Sequence, residues 1–445
     1  MRRFIIEQTN ANLTSHAGLA LVGMALNRHS GLADHVDRQV PLRHGISHGD
    51  VLRTYIGLLS LGKSDFEAVE NVREDEFFAE ALGVSTVPSA VTLRQRLDAR
   101  AADFLGVMEQ ASVDFLRNVA AQPTALDTGH VPLDADVTPF DNSGTRKEGV
   151  SRTYHGHDGY APMAAYLGRE GYCLEFELRE GKQHCQQDTP AFLARVLRRA
   201  RQISEAPLLL RLDGGNDALE NIDVVLAHNE DDEVGVDFLI KWNPRREDPA
   251  YWLDYAEKHA RFTHPRPGKR VAVFDHWVTR RRQGYEYRLR RVLQITERTI
   301  DKKGQALLVP EITLEGWWTS LDLAPEAVIA LYADHGTSEQ FHSEFKTDLD
   351  IERLPSGKFA TNALVLACAV LAYNILRWLG QTGLTRPGGP VRHRAKRRRI
   401  RTVMQEIMYL AARFIETGRR LKLGFGRRCR AVGIFSDLYH RLAYG

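Results

Sequence analysis

The sequence predicts an α/β protein in which helices cover a mixed β-sheet. From about residue 121, strand-like and helix-like runs follow one another in the order β, β, β, α, β, α, β, which is typical of such a sheet. One of these runs, PLLLRL at 207–212, is almost wholly apolar, as expected for a central strand that is buried on both faces. Apolar residues at helical spacing occupy the first 120 residues and predict a helical N-terminal region.

The changes in pattern along the chain divide it into five regions. They are a helical region (1–120), the first part of the sheet domain (121–242), a β-rich insertion (243–323), the last part of the sheet domain (324–385) and a basic helical C-terminal region (386–445). The predicted strands are 125–140, 161–167, 172–178, 207–212, 236–242, 270–277, 285–296 and 304–309. The main predicted helices after residue 121 are 189–203, 218–228, 358–379 and about 399–423.

The N-terminal segment TVPSAVTLRQRLDAR predicts a short helix that begins near Ser89. Val91, Leu93 and Leu97 are expected to point inward, and the polar side chains between them outward. A short helix after a turn is suited to the major groove of DNA. A solvated amphipathic helix explains the pattern equally well, so both interpretations stay open.

One uncharged run, FATNALVLACAVLAYNIL (359–376), is long enough to cross a bilayer. It is the single run of this kind and contains Thr361, Asn362 and Asn374, so a buried helix is the preferred interpretation over a membrane span. The four cysteines form no CxxC pair. This spacing argues against a zinc ribbon or a disulfide framework and fits a reducing cytoplasm.

Charge is unevenly distributed along the chain. The formal net charge is only +3, but residues 391–445 contain fifteen Lys or Arg against three Asp or Glu. A basic tail on an acidic body suggests a polyanionic partner such as DNA, because Lys and Arg neutralise phosphates. The predicted DNA-binding residues of this tail are Arg392, Arg394, Lys396, Arg397, Arg398 and Arg399.

Three acidic positions are candidates for catalysis. Asp213 follows the PLLLRL run and precedes two glycines, a place where ligands gather in open α/β sheets. Asp134 and Asp136 share one face of a predicted strand, and Asp136, with Thr138 two residues on, is the preferred candidate of the two. Glu339 lies far downstream. Carboxylates from separate elements are what a divalent-metal phosphoryl-transfer site needs, because hard cations take oxygen ligands.

The segment YADHGTSEQFHSEFK predicts that Glu339 lies on a helix. Glu339, His342 and Lys346 are spaced i, i+3 and i+7, so they would share one helical face. Phe341 and Phe345 would point into a core from another face.

Two histidine-containing loops are weaker candidates. In GVSRTYHGHDGY, His155, His157 and Asp158 have no known metal-ligand spacing, and surface positions are the preferred interpretation. His184 and Cys185 are not interpreted as a metal site either.

These segments together resemble the DDE transposases of bacterial insertion sequences, in the group whose third carboxylate lies in a Tyr-Arg-Glu-Lys signature. Tyr332, His335, Glu339 and Lys346 have the spacing of that signature, with histidine in place of the arginine. DVTPFDNSGTRKEGVSRTYHGHDGYAP and LLLRLDGGND are also similar to this group. The resemblance covers roughly residues 120 to 385. It implies that Tyr332, His335 and Lys346 contact DNA phosphates beside the cut.

The resemblance implies an RNase H-like catalytic domain whose β-rich insertion precedes the last carboxylate. It implies that Asp136, Asp213 and Glu339 hold two Mg²⁺ ions, for which Mn²⁺ can substitute. The implied reaction is cleavage at the end of a mobile element and transfer of the freed 3′ hydroxyl to target DNA. The implied partners are double-stranded DNA, as terminal inverted repeats and as target, and a second copy of the chain in a synaptic homodimer. The implied location is the bacterial cytoplasm, with nucleoid association and no membrane.

Two other functions remain open at this stage, an RNase H-like nuclease that does not join strands and an inactive DNA-binding derivative of a transposase. All three carboxylates are present, which argues against the derivative. Trp277, Trp317 and Trp318 of the insertion are candidates for stacking on an unpaired base, although core positions are the preferred interpretation.

Overall fold

The computed structural model describes residues 3–245, 247–282, 284–386, 389–391, 393, 395–418 and 420–445, except for the side chains of Arg282 and Thr337. The helices are α1 Leu19–His29, α2 Leu32–Gln39, α3 His48–Ser60, α4 Glu76–Leu82, α5 Ala90–Asn118, α6 Thr189–Arg201, α7 Leu219–Glu230, α8 Pro249–His259, α9 Pro325–Ala333, α10 Ser338–Ser343, α11 Phe359–Leu379, α12 Ile400–Val403 and α13 Val432–Tyr444. The strands are β1 Leu13–Thr14, β2 Val131–Val137, β3 Phe140–Asp141, β4 Ser151–Arg152, β5 Asp158–Tyr160, β6 Met163–Leu167, β7 Tyr172–Glu177, β8 Leu208–Leu212, β9 Val236–Trp242, β10 Phe262–Arg266, β11 Lys269–Arg282, β12 Tyr285–Ile300, β13 Ala306–Thr319, β14 Ala412–Thr417 and β15 Arg420–Phe425.

A nine-stranded mixed sheet runs through the molecule in the order β10-β11-β12-β13-β9-β8-β2-β6-β7. Its central strands β2, β8 and β9 are parallel, whereas β6 and β7 join antiparallel on one side. Helices flank the sheet, and the predicted α/β class with a mixed sheet is confirmed. The strands and helices predicted for residues 121–242 are present in the predicted order, but the strand predicted at 125–140 is divided into β2 and β3. The short strands β4 and β5, which form a separate sheet with β3, were not predicted.

Strand β2 divides its side chains between two environments because successive residues point to opposite faces of a sheet. Val131, Leu133 and Ala135 enter a hydrophobic core that β8 and α6 also line. Asp134 and Asp136 therefore lie together on the other face. Every residue of β8 is buried, which explains why its sequence is a nearly continuous apolar run.

The β-rich insertion extends the central sheet. The long strands β11, β12 and β13 form an antiparallel meander, and β13 pairs antiparallel with β9. The predicted strands 270–277 and 285–296 lie inside β11 and β12, and the third strand is longer than predicted.

The N-terminal helices share one core with α11 and the C-terminal segments. The predicted short helix near Ser89 is confirmed, because Ser89 caps α5 and the first part of α5 ends at a kink at Arg100. A second helical part continues from this kink to Asn118. Leu93 and Leu97 are buried as expected, but the Val91 side chain is 57% exposed. The first part of α5 is thus a short amphipathic helix that packs on the core through Leu93 and Leu97 and exposes Val91.

Helix α11 contains the long apolar run. Phe359–Leu384 is long and apolar enough to cross a membrane by length and composition, yet most of it is buried in the protein. It packs against α3, α5 and β7. The polar residues Asn362 and Asn374 have buried hydrogen-bond partners, as buried amides require.

The predicted C-terminal helix at about 399–423 is wrong. Helix α12 has four residues and a π-helical turn follows it, Met404–Met408. The next residues form the β14–β15 hairpin, which turns at Gly418 with a φ of 59°. Alternating burial at Ala412 and Phe414 gives this segment the period of a strand, which the helical prediction overlooked.

Candidate active site

Two aspartates lie side by side at the carboxyl ends of parallel strands. The register of β2 and β8 pairs Asp134 with Arg211 and Ala135 with Leu212. Asp136 and Asp213 are the next residues of the two strands, so they emerge at the same edge of the sheet. Burial, and then the negative charge of Asp136, raise the pKa of the Asp213 carboxyl. Like charges are therefore held close together at this edge.

Asp134 is committed to an internal ion pair with Arg211. The Arg211 guanidinium donates from Nε to Asp134 Oδ1 at 2.6 Å and from Nη2 to Oδ2 at 2.8 Å. His335 Nδ1 lies 3.1 Å from Asp134 Oδ1. Burial alone would raise the pKa of Asp134, but Arg211 and His335 outweigh it and hold this pKa below its usual value. Both oxygens of Asp134 are engaged, whereas the Asp136 side chain is 22% exposed.

Polar groups surround the half-buried pair Asp136 and Asp213. His342 Nε2 lies 3.7 Å from Asp136 Oδ2, and His342 Nδ1 lies 3.0 Å from the Tyr166 hydroxyl. The Val137 backbone N–H donates to Asp136 Oδ1 at 2.8 Å. On the neighbouring strand, Asn216 Nδ2 donates to Asp213 Oδ1 at 2.7 Å.

Glu339 lies on α10, which contacts β2. The Glu339 side chain is exposed. Within the described ranges, no three His, Cys, Asp or Glu side chains are grouped closely enough to hold a metal ion. The structure thus brings together the two aspartates, with the glutamate on an adjoining helix and outside a compact three-residue cluster.

Glu339 and His342 lie on one α-helix as predicted, but this helix ends before Lys346. Helix α10 ends at Ser343, and a π-helical turn, Glu344–Asp348, changes the direction of the following side chains. Glu339 is exposed whereas His342 is buried. Lys346 is half-buried with Nζ 5.6 Å from the centre of the Phe140 ring, and its burial lowers its pKa. The inward positions predicted for the two phenylalanines, Phe341 and Phe345, are confirmed.

The other signature residues are more enclosed than a surface phosphate contact requires. His335 is only 6% exposed and lies against Asp134, so the predicted contact of His335 with phosphate does not agree with its inward position. Tyr332 packs on Trp317 at a ring-centre distance of 6.1 Å. Lys241 Nζ lies 4.5 Å from the Trp317 ring and 5.6 Å from the Tyr332 ring.

The basic C-terminal run is divided between solvent and the protein interior. Arg392 and Arg394 lie outside the described residues. Lys396 is exposed. In contrast, the guanidinium groups of Arg397, Arg398 and Arg399 bind protein groups. Arg397 and Arg398 are largely enclosed, whereas the Arg399 side chain is 49% exposed and stays accessible to DNA.

Some residues of this region were missed in the sequence. Tyr154 is 68% exposed on the loop between β4 and β5, and partial burial of its hydroxyl followed by the charges of Asp136 and Asp213 raises its pKa to about 12. In the sequence of this loop, only the two histidines and Asp158 are candidates for chemistry, and Tyr154 carries no comparable signal. Arg211 was also missed, although a single charge inside an apolar strand was the available signal for an internal ion pair.

The three candidate tryptophans of the insertion differ in their exposure to solvent. Trp317 and Trp318 are 3% and 4% exposed, which agrees with core positions. Trp277 is 51% exposed, with the Arg288 guanidinium 4.9 Å from its ring centre. Of these three side chains, Trp277 is the accessible one.

The family model described as Transposase DDE domain group 1 matches residues 2–444. No curated protein matches the chain. Among solved structures, a piggyBac transposase synaptic complex with hairpin DNA, determined by cryo-electron microscopy, is similar with a TM-score of 0.43 and 10% sequence identity. That match covers 98% of this chain and 85% of the other.

Proposed function

Because the chain belongs to the DDE transposase family, domain group 1, we propose that it is the transposase of an insertion sequence. In this proposal it binds the terminal inverted repeats and catalyses metal-dependent strand cleavage and strand transfer. The observation that carries the proposal is the pairing of Asp136 with Asp213 at the carboxyl ends of two adjacent parallel strands. Ligands of open α/β sheets collect at this edge.

An RNase H-like catalytic core is part of the proposal. The strand order β7-β6-β2-β8-β9, with β6 antiparallel and β8 and β9 parallel to β2, supports it. In this arrangement the insertion enters between β9 and α9, before the glutamate-bearing helix.

The donor set fits a hard divalent cation, for which we propose two Mg²⁺ ions with Mn²⁺ as a substitute. Asp136 and Asp213 offer carboxylate oxygens, and a cation between them would relieve the repulsion that raises the pKa of Asp213. Glu339 is proposed to supply the third carboxylate. When bound, such ions activate water and neutralise charge at the phosphoryl group undergoing transfer.

Protein groups around the pair have separate tasks in this proposal. Arg211 neutralises Asp134 and leaves Asp136 as the first ligand. His342 orients Asp136 from its buried side. The Tyr154 hydroxyl, which donates to the Val137 carbonyl at 3.4 Å, is placed to donate instead to a DNA phosphate near the acidic pair.

DNA contacts outside the carboxylate pair are proposed for exposed cationic and aromatic groups. Lys396 and Trp277 are two described side chains that are exposed enough for this task. Two ends must be held together for transposition, so we propose a homodimer on DNA. The proposed location is the bacterial cytoplasm at the nucleoid.

The test is cleavage of labelled DNA from the two flanks of the coding sequence, with Mg²⁺ or Mn²⁺. We expect the wild-type protein to nick at the repeat end and join it to target DNA, and Asp136→Asn, Asp213→Asn and Glu339→Gln to bind these ends without cutting. Asp141→Asn is the matched control, because Asp141 is an exposed carboxylate on the adjoining strand β3.

Three other results would each favour a different ligand assignment or a different function. If Asp136→Asn cuts normally and Asp134→Asn does not, the first ligand is misassigned by two residues. Cutting without joining would favour the nuclease. Binding of ends with no cutting under either metal would favour the DNA-binding derivative.

A further inference from the structure

The exposed helix α10 is held by an arginine from a distant part of the chain. Arg397 Nη2 donates to Gln340 Oε1 at 2.7 Å, and its Nη1 donates to Glu344 Oε1 at 2.8 Å. Its guanidinium carbon lies 4.6 Å from the centre of the Phe341 ring. One side chain therefore contacts three residues of the segment that immediately follows Glu339.

A second arginine holds the turn after this helix. Arg399 donates from Nε to Asp348 Oδ2 at 2.8 Å and from Nη2 to Thr347 Oγ1 at 2.8 Å and Ser343 Oγ at 3.2 Å. The Asp348 side chain is fully buried, so this ion pair is shielded from solvent at its acidic end. Arg397 and Arg399 together fasten both the helix and its π-helical turn to the C-terminal segment.

The buried charge beneath the helix has a further partner. Glu344 is 1% exposed and also accepts a hydrogen bond from Arg377 of α11, which is equally buried. Loss of Arg397 therefore leaves Glu344 paired with a cation, so the core retains charge balance. A variant at Arg397 is expected to fold and to report on the position of α10.

The neighbouring residue Lys396 provides a contrast. It is exposed and adjacent to Arg397 in the chain. Both residues add one positive charge to the same basic run, so a purely electrostatic role in DNA binding predicts similar effects for both.

We propose that Arg397 and Arg399 are positioning residues for α10, and through it for Glu339, and that Lys396 faces the DNA. The assignment of Glu339 as the third carboxylate rests on the proposed function. The basic run thus combines the exposed cation Lys396 with two arginines that hold α10 and the turn after it, so the C-terminal segment supports the active site.

The test compares Arg397→Ala, Arg397→Lys and Gln340→Ala with the matched control Lys396→Ala in the full-length protein. Hydrogen exchange of residues 338–348 reports on the helix without any activity. Charge-assisted hydrogen bonds of about 1.5–3 kcal/mol predict an increase in exchange of about 10- to 100-fold for Arg397→Ala. Gln340→Ala removes an exposed acceptor only and is expected to give a smaller increase, with Arg397→Lys partly restoring the wild-type rate.

DNA cleavage and DNA affinity complete the test. Arg397→Ala removes charge-assisted hydrogen bonds and is therefore expected to lower the single-turnover cleavage rate at least about tenfold. The salt dependence of its affinity for the DNA ends is expected to stay unchanged. Lys396→Ala is expected to reduce the slope of log affinity against log salt by about one and to keep wild-type exchange in α10.

The proposal is overturned if Arg397→Ala and Gln340→Ala exchange like the wild type, or if Arg397→Ala merely repeats the salt effect of Lys396→Ala. Failure of the proposed function gives a different result, since the wild-type protein would then either not cut DNA or cut it without joining the end to target DNA. The exchange measurement would still decide whether Arg397 positions the helix.

Discussion

Replacement of Arg211 by methionine is expected to be among the most destabilising single changes near the active site. The Arg211 and Asp134 side chains are 1% and 4% exposed, so solvent does not screen their interaction. Arg211 also donates from Nη1 to the Leu331 carbonyl at 2.7 Å, which ties α9 to the sheet. Arg211→Met leaves the Asp134 charge buried beside His335 alone. Removal of one member of a buried pair costs about 3–5 kcal/mol, a large share of the roughly 5–15 kcal/mol by which proteins are stable.

A double-mutant cycle with Asp134→Leu separates the pair from its surroundings. Simultaneous removal of both charges is often close to neutral, so the double variant is expected to recover at least half of the loss. Urea unfolding followed by tryptophan fluorescence measures the unfolding free energies of the wild type, the two single variants and the double variant. The coupling free energy between Arg211 and Asp134 is expected to exceed about 2 kcal/mol. Lys258 and Asp254, which are 62% and 61% exposed, form the control pair, with an expected coupling under about 0.5 kcal/mol. Equal coupling for the two pairs would refute the reasoning.

The remaining predictions concern two side chains near the acidic pair. Burial opposes protonation of His335, but the negative charge of Asp134 outweighs burial and raises the pKa of His335. The contribution of His335 to stability is therefore full below about pH 6.5 and is lost as pH rises through the raised pKa. Unfolding free energies of wild type and His335→Gln are thus expected to differ more at pH 5.5 than at pH 8.5, and a difference that grows with pH would contradict this sign. Tyr154→Phe is expected to lower single-turnover DNA cleavage about 3- to 10-fold, the value of one hydrogen bond, with an unchanged melting temperature because the ring is 68% exposed. Equal cleavage rates for Tyr154→Phe and wild type would remove the proposed phosphate contact.

The central strands were predictable because their sequence pattern depends on local burial. The apolar run that ends at Leu212 is buried on both faces, and that condition leaves few residue choices besides aliphatic ones. The alternation around Asp136 was likewise visible, since a strand with two environments must alternate. These local patterns were enough to place Asp136 and Asp213 at strand ends.

Features that depend on distant partners were not predictable in the same way. Arg397 lies in a run of cations that has the composition of a DNA-binding tail, and its inward position depends on Glu344, 53 residues earlier. His335 occupies a position that the signature assigns to an arginine, yet its side chain points into the protein and contacts Asp134. In both cases the sequence pattern indicates a cationic side chain, whereas the tertiary fold determines which groups that side chain contacts.

The two ends of the described chain are structurally interdependent, and this affects how the protein can be synthesised and folded. Strand β1 pairs with β14, and Arg28 of α1 donates a hydrogen bond to the Ala443 carbonyl, across 415 residues. At about 5–20 residues per second, a ribosome needs roughly 20–80 s to make the intervening chain. During that time the part of α1 that α13 covers in the folded protein has no C-terminal partner, and exposed apolar surface of this kind favours aggregation.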